Sequence, residues 1–200
     1  MLALGAQAHV VDEGVASSDG ERALRERLAS LHGVIGVSPY IELTALAVHC
    51  LLYTSTLIVF DIDDLTSYNE TFGRAAGDAC IRRVAGVIGA AFKRGADVVA
   101  RWEGGRIIAL VRNADMAAIA AFATSVAQKV VGQHIHHPRA ARQKFLSVSV
   151  AAASLVPSAE SSPDVLVQAA MNALARAKLD FVARVAVAGP EDIVETGPSA

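Results

Sequence analysis

Residues 56–62 read TLIVFDI, a continuous run of β-branched and aromatic side chains. A half-buried strand alternates apolar and polar positions, whereas this run does not, so it predicts a central strand buried on both faces. The DDLTSYNETFG that follows predicts a short helix stopped by Gly73. In AGDACIRRVAGVIGAAFKR, Ile81, Val84, Ala85, Ile88 and Phe92 recur at helical spacing and mark one apolar face. DVVARW and RIIALV flank EGG and predict a hairpin. DMAAIAAFATSVAQKVV predicts a helix with Asp115 as its cap. QHIHH and KFLSVSVAAA predict two strands about a PRAAR turn. SPDVLVQAAMNALARAKLDF predicts a helix capped by Ser162 with Pro163 at its first position, and ARVAVAG a last strand. Upstream, DGERALRERLASLHG predicts a short charged helix ending at Gly33, and SPYIELTALAVHCLL a helix opened by Ser38 and Pro39.

This order predicts an α/β (α+β) fold with a central, mostly antiparallel sheet flanked by helices. Residues 1–20 read as a loose leader, 21–33 as a signalling-type helix, 34–188 as one domain and 189–200 as a frayed tail. Composition narrows the function classes. The 200 residues are 53% hydrophobic and 19% charged, which supplies a core and argues against disorder. A net charge of −2 advertises no nucleic-acid surface. The start lacks the features of a signal peptide and no apolar run reaches bilayer length, so the expectation is a cytoplasmic chain without membrane insertion. Cys50 and Cys80 lie in apolar stretches and read as buried free thiols, without zinc-site spacing.

The chemistry concentrates in FDIDDLTSYNETFGRAAGD, residues 60–78. Asp61 and Asp63 flank Ile62 at the end of a buried strand, beside a helix start. Carboxylates there commonly hold Mg²⁺ near phosphates, although one such acid is equally an ordinary helix cap. Asn69, Gly73 and the Gly-Asp pair ending at Asp78 extend the pattern, and a Gly-Gly hairpin follows at RWEGGRI.

Over roughly residues 30–187 this constellation resembles the GGDEF family, the diguanylate cyclases that condense two GTP into cyclic di-GMP. The resemblance implies the palm-like nucleotidyl cyclase fold. It also implies that Asp61 and the Ile62 carbonyl stand where a metal is held, and that Asn69 and Asp78 stand where guanine is read. Asp can accept from the guanine N–H edge and Asn can both donate and accept. The departures matter as much. The family's phosphate-binding Lys is Thr66 here, its Phe is Leu65 and its His is Arg74; the late Lys is kept as Lys178, while the following Arg is Val182. In register the signature reads Glu103, Gly104, Gly105, Arg106, Ile107, so Gly105 and Arg106 replace both acids of the turn. Two-metal phosphoryl transfer needs carboxylates to gather its ions. The expectation is no catalytic residue and no cyclase activity, with the metal position at Asp61 and Ile62 vestigial. Arg106 either reaches Asp61 and takes up the metal's space or points to solvent.

The resemblance also implies a second nucleotide site, the inhibitory R-x-x-D motif five residues ahead of the signature. Arg94 and Asp97 have that spacing. An Arg forks onto guanine O6 and N7 while an Asp takes the N–H edge, so this pair predicts a cyclic di-GMP receptor that needs no catalysis. Arg83, Arg139 and Arg142 are candidates for a further guanidinium on that ligand. Two other readings stand beside it. One is a protein-interaction module that homodimerises or pairs with another GGDEF or signalling protein, without nucleotide. The other is GTP binding without turnover through Asn69 and Asp78. No cofactor is required, and Mg²⁺ enters only if GTP binds. Of the remaining residues, alternation puts His134 and His136 on one strand face, but with no acid or cysteine nearby a solvated hairpin is expected. Trp102 reads as packing.

Overall fold

The computed structural model describes residues 55–94, 97–112, 115–141, 144–155, 163–180, 184–189 and 192. The leader, the two upstream helices, Cys50, Arg142, the Ser162 cap and Val182 lie outside them.

The TLIVFDI run forms β1 (Ser55–Ile62) at the centre of the sheet. The chain continues through α1 (Leu65–Phe72), α2 (Arg74–Gly89), β2 (Val98–Arg101), β3 (Arg106–Arg112), α3 (Met116–Val131), β4 (Val148–Leu155), α4 (Pro163–Leu179) and β5 (Val185–Val187). The strands lie in the order β2-β3-β1-β4-β5. Every pairing is antiparallel except β4 with β5. A mostly antiparallel sheet covered by helices is therefore what forms.

The absence of alternation in β1 has the expected cause. Ile58, Phe60 and Ile62 pack in one cluster with Ile81, Val84 and Ile88 of α2 and Ile119, Ala123, Val126 and Val130 of α3. Leu57 and Val59 point the other way, onto Leu166, Ala169, Ala170, Ala173 and Leu174 of α4. The small residues of α4 let that helix lie close on the sheet. Fully burying side chains of this size contributes about 1.5–3 kcal/mol each, so β1 anchors both layers.

The caps follow local chemistry. The Asp115 carboxylate accepts from the backbone N–H groups of Ala117 at 3.3 Å and Ala118 at 3.2 Å. Gly73, at φ 84°, ends α1 and begins α2 without a spacer, so α2 starts two residues before the run that predicts it. Cys80 is buried and free, and burial pushes its thiol up to about 11 despite the nearby Arg83 charge.

One expectation needs correction. QHIHH is not a strand. After α3 the backbone keeps turning, with Gln133 and His134 donating to Val130 and Val131, and His134 adopts a left-handed φ of 51°. Only an isolated bridge between His136 and Phe145 remains of the expected pair, and β4 begins at Val148 rather than Lys144. Of the stretch read as the tail, Gly189 and Asp192 are described. Asp192 is buried, its carboxylate taking hydrogen bonds from the Gly189 N–H and from Arg176. Burial alone pushes that carboxyl up, but the Arg176 hydrogen bond, the Gly189 N–H and the Arg176 charge together bring it below the ordinary value.

Candidate functional site at the end of the central strand

Strand parity decides what meets at the site. Asp61 shares its face with Leu57 and Val59, and Arg106 shares its face with Ile108 and Leu110; all four apolar residues pack on the α4 side. Asp61 and Arg106 are also directly opposed in the β1–β3 register. The hairpin therefore delivers the Arg106 side chain to Asp61. Its Nε lies 3.1 Å from Asp61 Oδ2. Lys178, in the last turn of α4, reaches the same oxygen with Nζ at 2.8 Å. Arg106 is held from two further sides: Nη1 is 2.6 Å from Glu103 Oε1, and the guanidinium carbon lies 5.9 Å from the Trp102 ring centroid. Trp102 itself is buried in the α4-side core, which agrees with its reading as packing.

Gly105 is buried and tightly enclosed. A Cβ there would lie 2.8 Å from Leu65 Cδ2 and 3.2 Å from Ile62 Cβ. Leu65, at the start of α1, thus fills the space beside this position. Gly104 makes the turn, at φ 57°, and the Ile62 N–H donates to the Gly105 carbonyl at 3.2 Å.

Asp63 is spoken for by a network the sequence reading missed. Ser147 Oγ and Ser149 Oγ donate to its carboxylate at 2.6 and 2.7 Å, and Arg184 Nη1 at 2.8 Å; Arg184 also touches Ser147. The S-x-S alternation in FLSVSV could have indicated two hydroxyls on one strand face. Nothing local marks Arg184. Asp64 joins α1 to the loop after α3: its carbonyl meets buried His137 Nε2 at 3.1 Å and its carboxylate accepts from the Ala141 N–H at 3.1 Å. His134 and His136 are exposed, and among the described residues no group of three or more His, Cys, Asp or Glu is placed to hold a metal.

Asn69 and Asp78 come from the two helices joined at Gly73. Asn69 Oδ1 is buried and finds no hydrogen-bond partner among the described residues. It lies against Gly77, where a Cβ would be only 1.7 Å away. Asp78 follows Gly77 and is exposed, as are Thr66 and Arg74.

Arg94 and Asp97 stand at the entry to β2, and a turn hydrogen bond from the Asp97 N–H to the Arg94 carbonyl (2.9 Å) brings them together. Arg94 is exposed and Asp97 half-buried. Burial raises the Asp97 carboxyl above its ordinary value, against the Arg94 charge and a hydrogen bond from the Arg94 backbone. Two of the suggested additional arginines are engaged within the chain: Arg83 donates to Gln133 at 3.1 and 3.3 Å, and Arg139 lies 3.8 Å from Glu70.

Known proteins share this architecture. A family model described as diguanylate cyclase, GGDEF domain, matches residues 42–181. A diguanylate cyclase A from Treponema denticola is 34% identical over 77 residues, which is 38% of this chain and 20% of that relative's length. The coiled-coil and GGDEF domain of DgcB from Caulobacter crescentus, solved in complex with c-di-GMP, superposes with a TM-score of 0.64 at 22% identity, over 85% of this chain and 94% of that one. The active GGEEF domain of a diguanylate cyclase from Vibrio cholerae gives 0.55 at 17% identity, over 74% and 93%. With the family model matching well over half of its length, the chain belongs to the GGDEF domain family.

Proposed function

We propose that this GGDEF domain does not turn over GTP and acts as a cyclic di-GMP receptor through Arg94 and Asp97. The observation that carries the first half is the arginine on Asp61. Phosphoryl transfer in two-metal sites relies on acids that draw cations to the attacking and leaving oxygens. Here Asp61 already faces Arg106 and Lys178, and the neighbouring position is a glycine enclosed by Leu65 and Ile62. These residues do not fit a divalent cation.

The second half is supported by the turn that sets Arg94 and Asp97 side by side at the exposed end of β2. A guanidinium and a carboxylate so placed can take the two hydrogen-bonding edges of one guanine. Keeping the Asp97 carboxylate half-buried works against its own charge, as is common where a charged group is retained for binding.

Calorimetry with cyclic di-GMP on the wild type and on Arg94→Ala tests the receptor, and incubation with GTP and Mg²⁺ or Mn²⁺ tests the loss of turnover. Binding by the wild type that falls at least about tenfold in Arg94→Ala, roughly 1.4 kcal/mol, is the expected result. Binding indifferent to Arg94→Ala removes the receptor reading, and cyclic di-GMP formed from GTP removes the other half.

A further inference from the structure

The arrangement around Asp61 does more than lack metal ligands. Its carboxylate is largely buried, and one oxygen faces two cations of the chain, Arg106 Nε at 3.1 Å and Lys178 Nζ at 2.8 Å. These cations come from separate elements, the first position of β3 and the last turn of α4. They arrive together because strand parity and helix packing put both on the same side of the sheet. The guanidinium has little freedom to leave: Glu103 holds Nη1 and the Trp102 ring lies beside its carbon. An arginine is charged at every accessible pH. Two unit charges at this oxygen match the charge of one divalent ion.

We infer that Arg106 and Lys178 are the resident cations of this corner, supplying from the chain the charge that a divalent metal would bring. The inference rests on the reading that turnover is lost and deepens it. It makes folding at this end of the sheet independent of metal. A divalent cation approaching Asp61 meets like charge at contact distance, and the nearby Glu103 carboxylate already pairs with Arg106. It follows that one substitution changes the chemistry. Arg106→Glu removes the held cation and sets a second carboxylate directly across the strands from Asp61. Opposed side chains on adjacent strands have Cβ atoms about 4.5–5.5 Å apart, close enough for two carboxylates to share one oxygen-seeking ion.

The experiment uses the whole chain, with Mn²⁺ as the probe. Free Mn²⁺ is followed by electron paramagnetic resonance, and melting is recorded in EDTA and in millimolar Mn²⁺. The wild type should leave the Mn²⁺ signal undiminished and melt at the same temperature in both. Arg106→Glu should melt lower in EDTA, recover with Mn²⁺ and take up the ion; adding Lys178→Met should tighten that uptake. Stoichiometric Mn²⁺ binding by the wild type, lost in Asp61→Asn, overturns the inference, and this arm needs no variant at Arg106 to fold. Folded Arg106→Glu that ignores Mn²⁺ overturns it as well. Incubating the same wild-type sample with GTP and Mn²⁺ separates the two claims: cyclic di-GMP formed would remove the loss of turnover, whereas Mn²⁺ held at Asp61 with no product formed would remove only the resident cations.

Discussion

At Gly105, a missing side chain and a filled space are two sides of one fact. The sequence shows a glycine where the family's turn carries an acid, but a glycine alone leaves open whether an acid could be restored. In the structure an added Cβ would lie 2.8 Å from Leu65 Cδ2 and 3.2 Å from Ile62 Cβ, so a restored side chain must displace Leu65. Overpacking a buried position typically costs about 1–3 kcal/mol, so Gly105→Asp should lower stability in urea melts by that order. Trimming the neighbour should relieve it. The double variant Gly105→Asp/Leu65→Ala should cost less than the sum of the single changes, as expected for residues in contact. Strict additivity would show that Leu65 is not what fills the space. Arg106 is a similar case: the residue type was legible, and its destination was one of two open alternatives until the hairpin register placed it across from Asp61.

Elements were legible where a single periodicity ruled. The central strand, the hairpin about Gly104 and the helix capped by Asp115 form from patterns confined to a few residues. The segment after α3 was misread because alternating His and Ile imitate a strand, while the backbone spends those residues closing the helix end. The junction of α1 and α2 carries a sharper test. Replacing a helical glycine by alanine ordinarily stabilises by up to about 1 kcal/mol. At Gly77 the added methyl would collide with Asn69 Oδ1, so Gly77→Ala should instead destabilise by about 1 kcal/mol or more. In Gly77→Ala/Asn69→Ala the ordinary helix gain should reappear. Chemical denaturation of the three variants measures this, and a stabilising single Gly77→Ala would mean that Asn69 turns aside at no cost.

For the molecule as a whole, the pH dependence of stability carries information about Asp97. Burial raises its folded-state carboxyl above the ordinary 3.8. The folded chain therefore holds that proton more tightly than the unfolded chain. The stabilising contribution is fully present below the ordinary value and is lost as pH rises through the folded one. At neutral pH the ionised group is a liability, so Asp97→Asn should raise the melting temperature there and leave it unchanged in acid below the ordinary value. The same substitution should weaken cyclic di-GMP binding. Stability up and binding down is the trade expected of a residue kept for a ligand, whereas a neutral-pH melting temperature that falls in Asp97→Asn would contradict the burial argument. Among the described residues no helix is long and apolar enough to cross a membrane.

The sequence by itself determined most of the described elements, their order and the positions where family chemistry is altered, because caps, periodicities and motif spacings are set by neighbours along the chain. The tertiary structure alone decided what those altered positions touch. Arg106 and Asp61 are 45 residues apart, and Arg184 and Asp63 are 121 apart. Parity assigns each side chain to a face of its own strand, but only the packing of α4 on that face brings Lys178 to the same oxygen. Which charges share a buried carboxylate is a property of the assembled layers, and no local pattern encodes it.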